Sequence, residues 1–457
     1  MGKAGAGGIA LADILARPFQ GIWAARDGVT YADLHRYLDA FDLSPWGVSR
    51  GDRVGLLMGN GVPFAATLLA AMTRYVAVPI GSAQPAEFVA AQLAACRANA
   101  LIVIAGTEAA QMARVIARQM PGLVVIALDL PPQAVLPEPP TAAQTVRKAV
   151  RNLDDVALVL CTSGATGDPK SVCFSLERLV RSAAMIGRSL DLGPDDLGVS
   201  MLPLHHVGGI ACNLVAPMLA GGQTRFATGF DPKAFFAALA GPEGASWCYL
   251  VPAMWQTVLD YAKEHPELGA TRPWPRLRAI RSAGADLPHA LACALADLFG
   301  DRVRVLPTYG MTEAMPIAAP PLTYRLTHAG SVGRALPSLS IEIIDPTVGA
   351  GCAVVPDGTV GEVTVKGAAV FDGYDQGGPV PAEVLTPRGY FRTGDLGRLA
   401  ADGSGWLSIH GRIKDAINRG GETIAPAQIE AVLRDYPGWQ GGAKVDLMVF
   451  ARAHADL

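Results

Sequence analysis

Short apolar runs alternate with longer helical patterns through the centre of the chain. The apolar runs lie at 156–161, 199–202, 246–251, 277–281 and 303–306, and a loop rich in Gly, Pro or Ser follows most of them. Helical patterns follow at 176–190, where Ser175 can cap the first turn, and at 210–219, 253–265 and 289–300. Strands that alternate with helices predict parallel sheets covered on both faces, with ligands bound beyond the carboxyl ends of the strands.

The pattern changes in the last third of the chain. Between 340 and 408 the period is close to two and turn residues recur, which predicts antiparallel strands or a small barrel. The Pro-rich stretch 130–144 is typical of a surface linker. We therefore predict an α/β protein. It has a large N-terminal domain of αβ-layered sheets with a small β-barrel-like subdomain, followed by the start of a small α+β C-terminal domain.

Composition excludes several classes of partner. Half of the 457 residues are hydrophobic, 17% are charged and the net charge is −3, with no run of Lys or Arg, so nucleic acid is not an expected partner. The most apolar stretch, 61–81, is interrupted by Pro63, Arg74 and Pro79, which argues against a membrane span. Seven scattered cysteines without a C-x-x-C pair are typical of reduced thiols, so we predict a cytoplasmic location.

A glycine-rich segment, TSGATGDPK at 162–170, resembles a phosphate-binding loop but is not a P-loop. A P-loop has glycine immediately before its lysine, where this chain has Pro169 before Lys170. Proline has no N–H to offer a phosphate and fixes its own φ. The segment therefore implies a phosphate-binding chemistry that differs from that of a P-loop.

Four separated motifs suggest that chemistry. They are TSGATGDPK (162–170), TYGMTEA (308–314), YFRTGDLGRL (390–399) and GRIKDAINRGGETIAPAQIE (411–430). In this order and spacing they resemble the adenylate-forming superfamily, which includes acyl-CoA and aryl-CoA synthetases, peptide-synthetase adenylation domains and firefly-type luciferases. The resemblance implies a large domain at 1–412 and a partial C-terminal lid domain at 413–457, with a hinge near Lys414.

The resemblance also implies the reaction. ATP, with Mg²⁺, would activate a small carboxylic acid to an acyl-AMP, and CoA would then take the acyl group as a thioester. Two alternatives remain open. The acceptor can be the phosphopantetheine of a carrier protein, or the chain can be a catalytically silent nucleotide-binding relative.

The superfamily pattern assigns roles to individual residues. Contacts to the phosphates would come from Thr162, Ser163, Gly164, Thr166, Gly167 and Lys170. Tyr309 would lie against the adenine, Thr312 would bind the α-phosphate and Glu313 would bind Mg²⁺. A local alternative for Glu313 is a carboxylate at the start of a helix.

Further roles follow from the other motifs. Gly284 and Ala285 would line the adenine, Asp395 and Arg412 would bind the ribose, and Gly421 would line the pantetheine tunnel.

The segment PLHHVGG at 203–209 is the clearest indication of the acyl pocket. The resemblance implies that His206 gates this pocket, whereas adjacent histidines without other ligands make a poor metal site. Amino-acid-activating relatives carry an Asp shortly after this point, where this chain has Val, Gly, Gly and Ile at 207–210. An α-amino acid is therefore not the expected substrate. The small residues Gly208, Gly209, Ala283 and Gly310 leave room for an aryl or medium-length acyl group.

The C-terminal part is short for this superfamily. Only 45 residues follow Arg412 (457 − 412), whereas a domain of about a hundred residues is usual. The superfamily carries an adenylation lysine near the end of that domain, and Lys444 lies too early to match it. We therefore expect a truncated chain, natural or engineered, that binds ATP but forms acyl-adenylate slowly.

Overall fold

The chain alternates strands and helices from residue 21 to about residue 307. The computed structural model describes residues 21–131, 134–140, 155–162, 170–346, 352–375, 380, 382–415, 417–419, 422–424 and 429. Among these residues, 3₁₀ helices span Ser44–Trp46, Ala382–Val384 and Ile413–Asp415.

The first part of the chain contributes eight strands and five helices among the described residues. They are β1 (Ile22–Ala24), β2 (Val29–Thr30), α1 (Tyr31–Ala40), β3 (Arg53–Met58), α2 (Val62–Arg74), β4 (Val76–Gly81), α3 (Ala86–Ala95), β5 (Ala100–Ile104), α4 (Glu108–Gln119), β6 (Val124–Leu128), β7 (Val156–Thr162), β8 (Lys170–Ser175) and α5 (Leu176–Ser189).

The second part continues the alternation and ends in short strands. It contains β9 (Leu197–Ser200), a π-helix (Gly209–Val215), α6 (Ala216–Leu219), β10 (Gln223–Phe226), α7 (Pro232–Leu239), β11 (Trp247–Leu250), α8 (Pro252–Glu264), α9 (Pro266–Thr271), β12 (Ala279–Ser282), α10 (His289–Phe299) and β13 (Arg304–Pro307). The remaining strands are β14 (Tyr309–Met311), β15 (Ala314–Ala319), β16 (Arg334–Ala335), β17 (Leu339–Ile344), β18 (Gly361–Gly367), β19 (Gly373–Tyr374), β20 (Phe391–Leu399), β21 (Leu407–Arg412), β22 (Ile417–Arg419) and β23 (Glu422–Ile424).

Two seven-stranded sheets carry most of the fold. The first has the order β19-β8-β7-β4-β3-β5-β6 and is parallel from β7 to β6, with β8 and β19 antiparallel at one edge. The second has the order β13-β12-β11-β9-β10-β1-β2 and is parallel except at the β1–β2 edge. The predicted parallel sheets are confirmed.

One hydrophobic core joins the two sheets. It includes Leu56 and Leu158 from the first sheet and Phe226 and Trp247 from the second. Helix α2 lies within this core, because every residue except the second and the last is buried. The apolar stretch at 61–81 is thus a core helix and strand. Among the described residues, no helix has the length and apolar character that crossing a membrane requires.

The region after residue 338 is antiparallel, as predicted. Strands β17-β18-β20-β21 form a four-stranded antiparallel sheet, and β14-β15-β16 form a smaller one beside the end of the second large sheet. Strands β22 and β23 pair with each other. The predicted domain boundary at residue 412 falls directly after β21 and stays a prediction.

Two local predictions differ from the structure. The loop at 162–170 does not lead straight into a helix, because strand β8 comes first and pairs with β7. Ser175 does cap the helix that follows, since its hydroxyl accepts a hydrogen bond from Arg178 N at 3.2 Å. The helix predicted at 210–219 is present, but its first part is a π-helix.

Glycine explains the start of the π-helix. A Cβ on Gly209 would lie 2.3 Å from Pro203 O, so the backbone approach there requires glycine.

Candidate active site

Asp395 and Arg412 face each other on neighbouring strands β20 and β21. The two residues are directly opposite in the antiparallel register, and Arg412 Nε lies 2.8 Å from Asp395 Oδ1. Tyr309, at the start of β14, donates its hydroxyl to Asp395 Oδ2. The Asp395 side chain is buried, whereas the Arg412 side chain is 48% exposed. The three side chains form a polar cluster that solvent reaches from the Arg412 side.

The backbone at 393–395 turns the Asp395 side chain inward. Gly394 has a φ of +72°, in the region that favours glycine, and the register between β18 and β20 shifts between Glu362 and Thr364. Gly394 N donates to Glu362 Oε1 at 3.2 Å, and Asp395 N donates to Thr393 Oγ1 at 3.1 Å. Irregularities of this kind re-aim a side chain. The Thr-Gly-Asp sequence therefore determines where the carboxylate points.

Burial raises the pKa of the Asp395 carboxyl above its ordinary value. Glu313 and Glu362 add to this rise, while Arg412 and the Tyr309 hydroxyl oppose it. Burial also raises the pKa of Tyr309, so its phenol remains a hydrogen-bond donor at neutral pH. A carboxylate has about four acceptor positions, so Asp395 can accept further bonds from a ligand. The geometry agrees with a ribose site, and that role remains a prediction.

A second polar cluster joins Glu313, Tyr374 and Lys170. Glu313 lies in the turn between β14 and β15, and its Oε1 accepts a hydrogen bond from Tyr374 Oη at 3.0 Å. Lys170 Nζ lies 5.2 Å from the centroid of the Tyr374 ring, within the range of a cation–π interaction. Thr312 shares the Glu313 turn. Because this turn connects two strands, the alternative that Glu313 starts a helix is wrong.

Glu313 offers a single carboxylate for a metal ion. Within the described part of the chain, no group of three or more His, Cys, Asp or Glu side chains could hold a metal. Mg²⁺ usually binds through one or two carboxylates together with phosphate oxygens and water. The donor set fits Mg²⁺ held between Glu313 and a nucleotide, and it does not fit a metal held by protein side chains alone.

Tyr374 is a site residue that the sequence analysis missed. Strand β19 places it opposite Val172 at the edge of the first sheet. The next residue, Asp375, pairs with the guanidinium of Arg53 through both carboxylate oxygens and with Arg97 Nη2 at 2.7 Å. These contacts join segments about 280 to 320 residues apart in the sequence. The sequence signal is a Gly-Tyr pair, which by itself gives no function.

Thr162 and Lys170 close the candidate phosphate loop. They are paired at the end of the β7–β8 hairpin, and Thr162 Oγ1 donates to Lys170 O at 3.3 Å. The residues between them, including Ser163, Gly164, Thr166 and Gly167, lie outside the described residues, as does Gly421. The structure therefore places the two ends of the loop and brings Lys170 to the Glu313 cluster.

Gly284 and Ala285 lie in an exposed loop after β12. Gly284 has a φ of +92°, so glycine is favoured at this turn. Thr308 N donates to Ser282 O at 2.8 Å, which holds the ends of β12 and β13 together. Because Tyr309 follows Thr308, the loop and Tyr309 leave the sheet side by side. This arrangement agrees with the predicted adenine site, which remains a prediction.

The histidine pair lies where the two large sheets approach each other. The rings of His205 and His206 have centroids 4.3 Å apart, and His206 is exposed. Gly81 ends β4 of the first sheet, and a Cβ there would lie 3.0 Å from His205 Nε2. Burial and the neighbouring His206 lower the pKa of His205 to about 4, so this ring is neutral at physiological pH. The gating role of His206 remains a prediction.

A separate cavity of about 430 Å³ lies beside the amino end of β13. It is lined by residues that include Arg272, Asp297, Asp301, Tyr324 and Arg325. None of the predicted site residues lines it. The predicted site residues Thr162, Ala285 and Tyr309 lie instead at or just after the carboxyl ends of parallel strands, and the location of the active site stays a prediction.

Comparison with known proteins identifies the family and the fold. A sequence model described as "AMP-binding enzyme" matches residues 17–375. The chain belongs to the AMP-binding enzyme family. The predicted resemblance is confirmed. The family match ends one residue after Tyr374, so Asp395 and Arg412 lie beyond the matched segment.

Named relatives of this AMP-binding chain include CoA ligases. It is 36% identical over 286 residues to a sulfoacetate–CoA ligase of Cupriavidus necator, covering 62% of this chain and 53% of that protein. It is 31% identical over 425 residues to an oxalate–CoA ligase of Arabidopsis thaliana, covering 90% and 79%. The match thus spans about half of the first relative and more of the second.

A solved structure supports the fold. ATP-bound MatB of Rhodopseudomonas palustris superposes with a TM-score of 0.80 at 25% identity, covering 93% of this chain and 84% of that chain. The predicted α/β fold and the predicted AMP-binding family are confirmed.

Proposed function

We propose that this AMP-binding protein is an ATP-dependent acid–CoA ligase. The observation that carries the proposal is that two polar clusters lie at the two ends of one short strand. Tyr309 at the start of β14 binds Asp395, and Glu313 just after β14 binds Tyr374 beside Lys170. A nucleotide is a ligand of matching chemistry, because its ribose hydroxyls are donors and its phosphates are anions that attract a cation and a metal ion.

In the first half-reaction the acid carboxylate attacks the α-phosphorus of ATP. The acyl-AMP forms as the bond to pyrophosphate breaks, and pyrophosphate leaves with its electron pair. Asp395 and Arg412 hold the ribose, Tyr309 orients Asp395, and Lys170 lies where phosphate charge develops. Thr312, in the Glu313 turn, is placed to bind the α-phosphate. When bound to Glu313, Mg²⁺ would neutralise phosphate charge.

In the second half-reaction the thiolate of CoA attacks the acyl carbon, and AMP leaves. ATP, Mg²⁺ and CoA are thus the proposed cofactor and co-substrates, and a small carboxylic acid is the partner. Gly421 is expected to line the path of the pantetheine. We also propose a cytoplasmic location, where ATP and CoA are available. The oxalate–CoA and sulfoacetate–CoA ligases among the relatives support the choice of a small acid and CoA as substrates.

The test combines binding with turnover. The 457-residue protein is titrated with ATP and Mg²⁺ by calorimetry. AMP and thioester formation are then measured with a panel of acids and with either CoA or a holo carrier protein as the acceptor. We expect ATP to bind, and we expect AMP and acyl-CoA to form in equal amounts only when both acid and CoA are present.

Two outcomes would contradict the proposal. If acyl transfer occurs only to a holo carrier protein, the acceptor is a phosphopantetheine arm and not free CoA. If ATP binds but the protein forms AMP with no acid of the panel, the protein is a silent nucleotide-binding relative.

A further inference from the structure

Arg281 is a buried cation without an anionic partner. It lies on β12 with 2% of its surface exposed, and it is the one lysine or arginine that is buried among the residues that the structure describes. Two buried acids of the same protein, Glu362 and Asp395, are each paired with an arginine. Within the described part of the chain, Arg281 contacts two neutral hydroxyls and no carboxylate. A guanidinium stays protonated, and burying it unpaired is costly.

The two hydroxyls orient the guanidinium and leave part of its hydrogen-bonding capacity unused. Nε donates to Thr308 Oγ1 at 3.1 Å, and Nη1 donates to Ser189 Oγ at 3.0 Å. Each hydroxyl donates its own proton elsewhere, Thr308 to Ser282 O at 3.1 Å and Ser189 to Ile186 O at 2.8 Å. Both hydroxyls therefore act as acceptors towards Arg281. Nη2 makes no hydrogen bond to a described residue, so its two protons remain available to a ligand.

Arg281 lies beside the proposed acyl pocket. It is paired in register with Tyr249 on β11, whose hydroxyl also has no hydrogen-bond partner among the described residues. Tyr249 Oη reaches the segment after His206, because a Cβ on Gly208 would lie 2.9 Å from it. Burial raises the pKa values of Tyr249 and Cys212, and the charge of Arg281 opposes both shifts. The guanidinium is therefore close to the π-helix that follows Gly208.

Arg281 is also connected to the polar cluster of Asp395, Arg412 and Tyr309. Thr308, which holds Arg281 Nε, directly precedes Tyr309, the partner of Asp395. An acid with one carboxylate at the adenylate and a second anionic group towards Arg281 would be a short molecule. The named relatives include ligases for oxalate and sulfoacetate, which are short acids of this type.

The geometry points to Arg281, with the Tyr249 hydroxyl, as the site that binds a second anionic group of the acid substrate. The inference rests on the proposed function and narrows it to short dianionic acids, in which a carboxylate or sulfonate accompanies the carboxylate that is activated. Charge-assisted hydrogen bonds to guanidinium are the strong class of hydrogen bond, and two of them can form in parallel to the oxygens of one anion.

The test compares acids that differ only in charge. Malonate and succinate are compared with their monoamides, and each acid is titrated into the protein by calorimetry and assayed for CoA-dependent AMP formation. We expect each dianion to bind about 10-fold or more tightly than its monoamide, because a lost charge-assisted bond costs about a factor of ten. This first comparison needs no variant, so it does not depend on whether a substituted protein folds.

Variants then test which residues cause the preference for the dianion over the monoamide. Arg281→Gln should reduce the preference for the dianion to within about 3-fold, and Tyr249→Phe should reduce it to about 5-fold. ATP affinity should stay unchanged in both. Arg225→Gln is the matched control, since Arg225 is a half-buried arginine on β10 that donates to Ala238 O. The control should keep the full preference.

The outcomes separate this inference from the proposed function. If the monoamides bind and react as well as the dianions, or if Arg281→Gln keeps the preference, the inference is wrong while the ligase function stands. If no acid of either kind yields AMP although ATP binds, the proposed function fails and the inference fails with it.

Discussion

Replacing Asp395 by asparagine should weaken ATP binding and stabilise the unliganded fold. The pKa of Asp395 is raised, chiefly by burial. A carboxyl group whose pKa is higher in the folded than in the unfolded protein stabilises the fold at pH values below its unfolded-state pKa. This stability is lost as the pH rises through the folded-state pKa. At neutral pH the ionised carboxylate therefore opposes folding. The neutral asparagine removes this effect, and its oxygen can still accept the Tyr309 hydroxyl.

The loss of ATP affinity follows from the proposed ribose contacts. A hydrogen bond to a charged group contributes about 1.5–3 kcal/mol, which corresponds to about 10- to 150-fold in affinity. The lost ion pair with Arg412 offsets little of the gain in stability, because the Arg412 side chain is 48% exposed and such pairs are weak. The two effects therefore have opposite signs, and a merely misfolded variant cannot produce that combination.

The assay measures ATP affinity by calorimetry and the Tm of the unliganded protein by calorimetric scanning. The ATP affinity of the parent protein should fall on acidification, and the fall should begin at pH values above the usual pKa range of an aspartate. The Asp395→Asn variant should not show this fall. Asp196→Asn is the matched control, because Asp196 pairs with Arg278 just before the amino ends of β9 and β12. That variant should keep the parent's ATP affinity.

An Asp395→Asn variant that binds ATP within about threefold of the parent would refute the proposed ribose contact, since a charge-assisted bond contributes more than that. A lower Tm for the unliganded variant would refute the stability argument separately. An equal loss of ATP affinity in the Asp196→Asn control would show that the effect is not local to the site.

Three further predictions follow from the site and its surroundings. Tyr374→Phe removes the hydrogen bond to Glu313 and should weaken Mg²⁺-dependent ATP binding about 5-fold. Tyr261→Phe, the control, removes a hydroxyl from a ring that stacks on Phe236 in α7 and should leave this binding unchanged. Equal calorimetric affinities of Tyr374→Phe and the parent would contradict the role of Tyr374. His206→Ala should change the ranking of a panel of acids more than the affinity for ATP, and an unchanged ranking would exclude the gating role. Burial raises the pKa of Asp196, but its hydrogen bonds outweigh burial and hold the pKa below its usual value. Asp196→Asn should therefore lower Tm at pH 7, and the Tm difference between variant and parent should disappear as pH falls below about 4. A Tm difference that does not change with pH would contradict the stabilising role of the Asp196 carboxylate.

The sequence predicted the parts of the fold that local patterns determine. Alternating apolar runs and helices identified the parallel strands, and the change to a period of two identified the antiparallel region. Strand β8 was missed because its residues follow a Gly- and Pro-rich loop and precede a capped helix, so the local pattern suggested a direct connection. The π-helix was predicted only as a helix, since seven residues are too few to distinguish its wider turn from an α-helix by periodicity.

The proximity of candidate site residues was predictable where two motifs lie close together in the sequence, and not where distant segments meet. Asp395 and Arg412 were predicted together, and β20 and β21 pair them. The contact between Tyr374 and Glu313 joins residues 61 positions apart and was not predicted. Arg281 also escaped the sequence analysis, because an arginine near the end of a predicted strand is ordinarily exposed. Its significance depends on burial without an anion, which only the folded structure reveals.

The pairing of Asp375 with Arg53 and Arg97 has a consequence for the entropy of nucleotide binding. These contacts fix β19, and with it the Tyr374 ring, before any ligand arrives. Immobilising a side chain at the moment of binding costs about 0.5–1.5 kcal/mol, and a side chain ordered during folding does not impose that cost again. In the proposed site, Glu313 would accordingly meet a nucleotide already oriented by its tyrosine partner. An ion-pair network outside the proposed nucleotide contacts would thus contribute to the affinity at this side of the site.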